Sequence, residues 1–141
     1  MKGIDFYKYN KIFGLSVGIF SFIIYSLTVE PTASYWDCAE YISTSAKLQI
    51  GHPPGAPLFQ MLGAIFSIFA LESNQIAYAI NMMSVFSSSL TIMFLFWSIS
   101  LIGKEILSTK KILNKNDSIK IFGASFLCLL YTSPSPRDFQ V

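Results

Sequence analysis

Two long stretches of this chain contain no charged residue, and they limit the possible fold more than any other feature. Ile12–Val29 is eighteen residues long and Ile76–Ile102 is twenty-seven. A helix needs about 20 predominantly apolar residues to cross a bilayer. Only 13% of the whole chain is charged, whereas about a quarter of an average soluble domain is. The sequence therefore predicts an all-α integral membrane protein.

The first apolar stretch follows a basic segment, a pattern shared by membrane spans and cleaved signal peptides. Three lysines and one aspartate lie within residues 1–11. A signal peptide has an apolar core of about 7–15 residues followed by a small-x-small cleavage site. Thr28-Val29-Glu30-Pro31 does not fit such a site. The interpretation is an uncleaved first span at about residues 12–29, with the N-terminus in the cytoplasm.

A shorter apolar run, Leu58–Leu71, lies between the two long stretches. If it crossed the membrane, the lysines that follow Ile102 would lie outside, against the positive-inside rule. Runs of about 10–14 apolar residues are more often interfacial or re-entrant. The sequence thus predicts an outer loop over residues 30–75 that contains an interfacial helix. A second span over residues 76–102 then leads to a cytoplasmic segment.

The last part of the chain breaks an apolar run before a third span could be completed. Residues 121–130 resemble the start of such a span, but Ser133-Pro134-Ser135-Pro136-Arg137-Asp138 follows almost directly. This ending resembles a translated sequencing-adapter remnant, which does not belong to a fold. We therefore expect residues 1–130 to be the N-terminal part of a larger multi-span domain and residues 131–141 to be a non-native tail.

The outer loop concentrates the polar chemistry of the chain. A short amphipathic helix is predicted from about Tyr35 to Leu48, with Ser34 as its N-cap. It brings Asp37, Glu40 and Tyr41 onto one face. A carboxylate such as Asp37 can remove a proton from a hydroxyl that lies within about 2.6–3.2 Å. The same carboxylate can instead cap the helix and do no chemistry, and both alternatives stand at this point.

The segment after that helix is predicted to be a rigid turn. Pro53 and Pro54 cannot continue a helix, and Gly55 allows the chain to bend. His52, the one histidine of the chain, could contact a phosphate or make local hydrogen bonds.

Three further side chains of the loop are candidates for substrate binding. Trp36 and Tyr41 could stack on a sugar or lie in an interfacial aromatic belt. Lys47 could contact a lipid phosphate or extend into water. One His and two distant Cys do not match the spacing of a zinc site, so no metal site is predicted. A net charge of +2, spread along the chain, gives no reason to expect nucleic acid as a partner.

Two motifs in the loop resemble the first outer loop of the polytopic glycosyltransferases of the GT-C superfamily. They are Asp37-x-x-Glu40-Tyr41 after a first span, and Gly51-His52-Pro53-Pro54-Gly55-x-Pro57-Leu58 before an apolar helix. The sequence is most similar to a bacterial family resembling protein O-mannosyltransferases, in which Pro-Thr-x-x-x-Trp-Asp-Cys-Gly-Glu precedes His-Pro-Pro-Gly. Residues 31–40 match this pattern except that Ala39 replaces a glycine.

The resemblance implies a GT-C type helical bundle in the bacterial inner membrane, with the loop in the periplasm. It implies an inverting transfer of a sugar from a polyprenyl-phosphate donor to a hydroxyl acceptor, commonly a protein Ser or Thr, with membrane lipid as a further partner. Asp37 would be the base or the acid that orients the acceptor, and Glu40 would support it. His52 would lie near the donor phosphate or hold the loop. No cofactor beyond the lipid-linked donor is implied, metal dependence stays open, and the fragment alone is expected to be inactive.

Two other functions are compatible with a membrane fragment. A transporter usually has ionisable or helix-breaking residues inside its spans, and neither apolar stretch contains a charge or a proline. A non-catalytic assembly subunit would leave the clustered acids and His52 without a role.

Overall fold

The chain is described by a computed structural model over residues 5–33, 37–53, 55–108 and 115–132. These residues form helices and no strand, so the prediction of an all-α chain is confirmed for them. The helices are α1 (Phe6–Thr28), α2 (Cys38–Lys47), α3 (Pro57–Ser67), α4 (Ile76–Ser108) and α5 (Lys115–Thr132), with a short 3₁₀ turn at Ser73–Gln75. Two segments are long and apolar enough to cross a membrane, Phe6–Thr28 and Ser73–Leu107.

The chain divides into two compact units. One is built from the described residues within 1–22 and 89–133, the other from residues 23–88. In the first unit, α1 packs closely on α4, since a Cβ at Gly14 would overlap the indole of Trp97. Small residues at such a contact let two membrane helices approach each other.

Buried polar groups add to this contact between α1 and α4. The indole Nε1 of Trp97 donates a hydrogen bond to the backbone oxygen of Asn10 at 3.1 Å. The Asn10 side chain accepts a second bond from the Ser100 hydroxyl at 2.6 Å. These bonds satisfy polar groups that would otherwise be costly in an apolar environment.

Helix α4 continues past the end of the apolar stretch that predicts it. It extends to Ser108, six residues beyond Ile102. Lys104 stays within the helix, and its ammonium lies 3.8 Å from the ring centroid of Tyr7. A cation over an aromatic face is stabilised by the ring quadrupole. Helix α4 thus includes charged residues beyond the apolar stretch.

In the second unit, α2, α3 and the start of α4 share one small apolar core. Its members are Cys38, Ile42 and Ile80, packed against Ala46, Phe59, Ile76 and Ala77. Gly63 of α3 faces Ser45 of α2, and a Cβ added there would lie 2.8 Å from the serine Oγ. The absence of a side chain at Gly63 thus allows α2 and α3 to pack closely.

Asn81 of α4 joins the residues that follow α1 to this core. Its buried amide donates hydrogen bonds to the backbone oxygens of Glu30 at 2.9 Å and Thr32 at 3.1 Å. Two loop carbonyls that follow α1 are thereby satisfied by a side chain of α4. We assign Asn81 a structural role.

Helix α2 ends at Lys47, close to the predicted end at about Leu48 and before the predicted proline turn. Leu48 has φ 50° and ψ 45°, which is the left-handed region. Gln49 donates its backbone N–H to Thr44 at 2.8 Å, and Leu48 donates to Ser45 at 3.3 Å. This is the hydrogen-bond pattern of a Schellman motif, with leucine where glycine is usual. The helix is therefore closed by its own backbone, and the proline turn is a separate element.

Helix α3 presents an apolar face that no described residue covers. It buries Gln60 and Gly63. At 1.5 Å per residue its eleven residues extend about 16 Å, about half of the roughly 30 Å hydrocarbon core, so it is too short to span a bilayer by itself. The exposed apolar residues of this helix and of the segment after it are Leu58, Met61, Leu62, Ile65, Ile68, Phe69 and Leu71.

Candidate functional site

Asp37 occupies the N-cap position of α2, but its carboxylate does not cap the helix. The residue has φ −75° and ψ 1°, and its side chain makes no capping hydrogen bond. Its backbone oxygen accepts from the Tyr41 N–H at 2.9 Å, the first bond of the helix. The carboxylate is 52% exposed. The sequence left two alternatives open for Asp37, a helix cap and a base. In the described geometry its carboxylate does not act as a cap. The predicted N-cap, Ser34, lies outside the described residues.

Glu40 lies one turn further along α2 and is bound to His52. The backbone N–H of His52 donates to Glu40 Oε1 at 2.8 Å, and His52 Nδ1 lies 2.8 Å from Glu40 Oε2. An ionised carboxylate can only accept hydrogen bonds, so Nδ1 is the protonated nitrogen of this contact. Both oxygens of Glu40 are therefore engaged by one residue.

The ring of His52 lies between the two carboxylates. With Nδ1 directed at Glu40, the other nitrogen, Nε2, is 3.9 Å from Asp37 Oδ2. That distance is too long for a direct hydrogen bond but short enough for electrostatic attraction. The His52 side chain is 50% exposed, so this edge of the cluster is not covered by other described residues.

The electrostatics of the cluster follow from these contacts. The hydrogen bond from the His52 backbone, and then the one from its ring, hold the pKa of the Glu40 carboxyl below its ordinary value. The hydrogen bond to Glu40 and the negative charge of Glu40 raise the pKa of His52, with a smaller contribution from the charge of Asp37. The contacts thus favour the ionised form of both partners.

His52 begins the turn that leads from α2 to α3. The Gly55 N–H donates to the His52 backbone oxygen at 2.9 Å, and Gly55 has φ +71°, which favours glycine. Pro53, whose ring restricts φ, follows His52 directly. The predicted turn is present at His52, Pro53 and Gly55, while Pro54 lies outside the described residues.

Gln60 and Thr44 lie beside the Glu40–His52 pair, and the sequence analysis did not select them. The buried Gln60 amide donates to the Thr44 hydroxyl at 3.3 Å, which in turn donates to the Glu40 backbone oxygen at 2.8 Å. A Cβ at Gly51 would lie 3.0 Å from Gln60 Nε2 and 3.3 Å from Glu40 Oε1. The available signal was Gln60 itself, the one polar amide within the apolar run Leu58–Leu71.

The other predicted site residues do not share this position. Tyr41 packs edge-on against Phe59, with ring centroids 5.5 Å apart. Lys47 is exposed in the last turn of α2. Trp36 lies outside the described residues. The structure therefore brings together three of the candidates, Asp37, Glu40 and His52.

The same three side chains offer ligand atoms that all lie within 4.8 Å of one another, close enough to surround an ion. The 2.8 Å separation of His52 Nδ1 and Glu40 Oε2 is that of a hydrogen bond, so these two atoms are paired with each other in this structure. The contact is a polar pair beside the half-exposed carboxylate of Asp37, and that combination can accept a proton from one group and donate a hydrogen bond to another.

Comparison with known proteins places this cluster within a recognised family region. Residues 37–137 match the family model described as the N-terminal domain of protein O-mannosyl-transferase TMEM260. A protein O-mannosyl-transferase tmem260 from Dictyostelium discoideum is 38% identical over 80 residues, which are 56% of this chain and 10% of that protein. The chain thus spans about a tenth of the length of this relative. No solved structure matches the chain.

These findings also bear on the broader expectations. Two apolar helices of spanning length, together with the family relationship, indicate a membrane protein. The relative comes from Dictyostelium, so the similarity is not restricted to the bacterial family that the motifs resemble.

Proposed function

Since the chain belongs to the family of the TMEM260 N-terminal domain, we propose that it forms the first part of a membrane glycosyltransferase of the GT-C type. The enzyme transfers a sugar from a polyprenyl-phosphate donor to a hydroxyl of a protein Ser or Thr. This chain contributes the first outer loop, with Asp37 as the base.

One observation supports this role most directly. The Asp37 carboxylate is half-exposed and makes no capping bond, although it stands at the first position of a helix where aspartate commonly caps. It is available for a substrate proton. Glu40 is not available in the same way, since both of its oxygens bind His52.

The proposed reaction is a single displacement at the anomeric carbon. Asp37 takes the proton of the acceptor hydroxyl while the hydroxyl oxygen forms a bond to that carbon. The bond between the carbon and the donor phosphate oxygen breaks, and the polyprenyl phosphate leaves with the electron pair. Attack opposite to the leaving group inverts the configuration of the sugar.

The remaining loop side chains receive supporting roles in this proposal. His52 carries a positive charge when protonated and can attract the phosphate of the donor. Lys47 can meet a lipid phosphate, and Trp36 and Tyr41 can stack on a sugar. The role of His52 comes from the resemblance of the loop to the GT-C enzymes, and those of Lys47, Trp36 and Tyr41 come from the chemistry of their side chains.

The proposed topology brings these groups to the membrane surface. Helix α1 leads outward, residues 30–75 lie on the outer side, and α4 returns to the cytoplasm, where basic residues are favoured. The apolar face of α3 then lies in the membrane interface, where an amphipathic helix buries such a face. A lipid-anchored donor can approach the loop from the bilayer.

The test uses the full-length protein that contains this chain. It is incubated with a labelled polyprenyl-phosphate sugar and a peptide that bears Ser and Thr. Asp37→Asn is expected to lower the turnover about 10²–10⁴-fold, the usual contribution of a general base. Glu72→Gln, an exposed acid of the same loop, is the matched control and retains the turnover.

Two outcomes would contradict the proposal. Near-normal turnover by Asp37→Asn would remove Asp37 from the role of base. Absence of transfer by the unmodified protein, together with flux of a solute, would favour a transporter.

A further inference from the structure

The two carboxylates at the start of α2 differ in how they are used. Both oxygens of Glu40 accept hydrogen bonds from His52, each at 2.8 Å. Asp37 has no capping bond, and its contact with His52 Nε2 is 3.9 Å long. Carboxylates that lie close together often divide their roles in this way, because their environments differ.

The contact with Glu40 decides which way the His52 ring points. Because Nδ1 faces Glu40, Nε2 is directed toward Asp37 and the open edge of the cluster. A carboxylate that binds one ring nitrogen of a histidine determines the tautomer and orients the other nitrogen. Glu40 therefore sets the position of His52 Nε2, a nitrogen that it does not contact itself.

We propose that Glu40 is a positioning residue that acts through His52, holding the imidazole so that Nε2–H is presented beside Asp37. The proposal rests on the proposed function in that it assigns the proton-accepting role to Asp37. The site then offers one acceptor and one donor side by side. The acceptor takes the hydroxyl proton, and the donor binds an oxygen of the departing phosphate.

The protonation state of His52 follows from this arrangement. Nδ1 keeps its hydrogen toward Glu40, so Nε2 has a hydrogen only when the ring is protonated. Glu40 also raises the pKa of His52, which supports the protonated form. Among the described residues, the charged groups that face His52 are Asp37 and Glu40 of α2, while α3 contributes the neutral amide of Gln60 beside Gly51.

The test combines activity with a measurement that does not depend on activity. In the full-length protein labelled with ¹³C-histidine, the His52 signal is identified by its loss in His52→Gln, and its pKa is followed by NMR. Glu40→Gln is expected to lower the pKa of His52. It is also expected to lower kcat/KM about 10- to 100-fold, the value of a hydrogen bond to a charged group. The alkaline limb of the pH profile should move to lower pH together with the pKa of His52.

A double-variant cycle separates this role from a merely structural one. If Glu40 acts through His52, Glu40→Gln combined with His52→Gln is no slower than His52→Gln alone. Losses that multiply would overturn the proposal, and so would an unchanged pKa of His52 in Glu40→Gln. Glu72→Gln is the matched control and leaves both measurements unchanged.

Two further variants keep the result interpretable. Should Glu40→Gln not fold, Glu40→Asp withdraws the carboxylate by one methylene while keeping its charge, and a smaller shift of the His52 pKa and of the pH profile in the same direction is expected. Should Asp37→Asn remain active, the proposed function of Asp37 fails. The pKa of His52 measured by NMR would still test the positioning role of Glu40 independently.

Discussion

Glu40 and His52 are joined by two hydrogen bonds of 2.8 Å, one from the His52 backbone N–H and one at its ring Nδ1. The carboxylate of Glu40 thereby links α2 to a residue that lies twelve positions further along the chain. Because one of the two bonds comes from a titratable ring, the strength of this link depends on pH.

We predict that Glu40 and His52 stabilise the fold most at mildly acidic pH. The His52 contribution is fully present below its ordinary pKa of 6.5 and is lost as pH rises through the raised pKa of the folded state. The Glu40 contribution is present above its ordinary pKa of 4.5 and is lost as pH falls through its lowered folded pKa. The difference in Tm between the unmodified protein and Glu40→Gln should therefore be largest between about pH 4.5 and 6.5.

The measurement is a series of thermal unfolding curves of the detergent-solubilised protein across this pH range. Glu72→Gln should show no comparable maximum, since its side chain is exposed and lies outside the cluster. A Tm difference for Glu40→Gln that does not change with pH would contradict the prediction.

The close contact of α2 and α3 predicts that Gly63→Ala lowers the free energy of unfolding by about 1–3 kcal/mol, the usual cost of overpacking. The new Cβ would lie 2.8 Å from Ser45 Oγ and 2.9 Å from Ser45 Cβ. Denaturant unfolding measures the change. Gly123→Ala is the matched control, because a Cβ there has open space, and it should be stabilising by about 1 kcal/mol through helix propensity.

Ser45→Ala tests the same contact from the other side. The Ser45 hydroxyl is buried, and among the described residues it has no hydrogen-bond partner. Its removal should raise the free energy of unfolding by about 1 kcal/mol and should reduce the cost of Gly63→Ala. Equal costs of Gly63→Ala in the two backgrounds would show that this hydroxyl does not limit the approach of the helices.

The left-handed end of α2 predicts that Leu48→Gly is stabilising by about 1 kcal/mol. A leucine in this conformation costs roughly 1–2 kcal/mol. Glycine removes that strain, but part of the gain is lost because glycine raises the conformational entropy of the unfolded chain. Lys47→Gly, one residue earlier and still helical, should instead be destabilising by about 1 kcal/mol. Denaturant unfolding measures both changes in the free energy of unfolding. A loss of stability in Leu48→Gly would mean that the exposed Leu48 side chain makes a contact that stabilises the fold by more than the backbone strain costs.

The topology predicts which single cysteines share a side of the membrane. In a background without Cys38 and Cys128, Gln49→Cys and Glu72→Cys should react with a membrane-impermeant maleimide added outside. Asn116→Cys should react only after permeabilisation. Labelling of Glu72→Cys from the side opposite to Gln49→Cys would mean that the chain crosses the membrane between residues 49 and 72.

Much of the helical framework could be predicted from local sequence. The charge-free stretches predicted most of α1 and most of α4, because hydrophobicity over about twenty residues is a local property. The ends of these two helices were missed, since α1 begins at Phe6, before Ile12, and α4 extends to Ser108, beyond Ile102. The end of α2 at Lys47 lies within one residue of the predicted Leu48.

The candidate site was only partly predictable. Asp37, Glu40 and His52 could be selected as polar groups in an otherwise apolar chain. The different contacts of the two carboxylates could not be predicted, since Glu40 and His52 are twelve residues apart and meet only in the folded chain. Gln60 was missed because it reads as part of an apolar run, although its amide lies beside that turn.

By itself the sequence determined that this chain is helical, that it has two stretches long enough to cross a membrane, and that Asp37, Glu40 and His52 lie in the loop between them. Composition and spacing suffice for this, because each depends on neighbouring residues. Only the tertiary structure decided that both oxygens of Glu40 bind His52, while Asp37 stays half-exposed at 3.9 Å from His52 Nε2. The chain leaves α2 through the left-handed Leu48, and α3 packs against α2 at Gly63, so that His52, which lies between the two helices, is within hydrogen-bonding distance of Glu40.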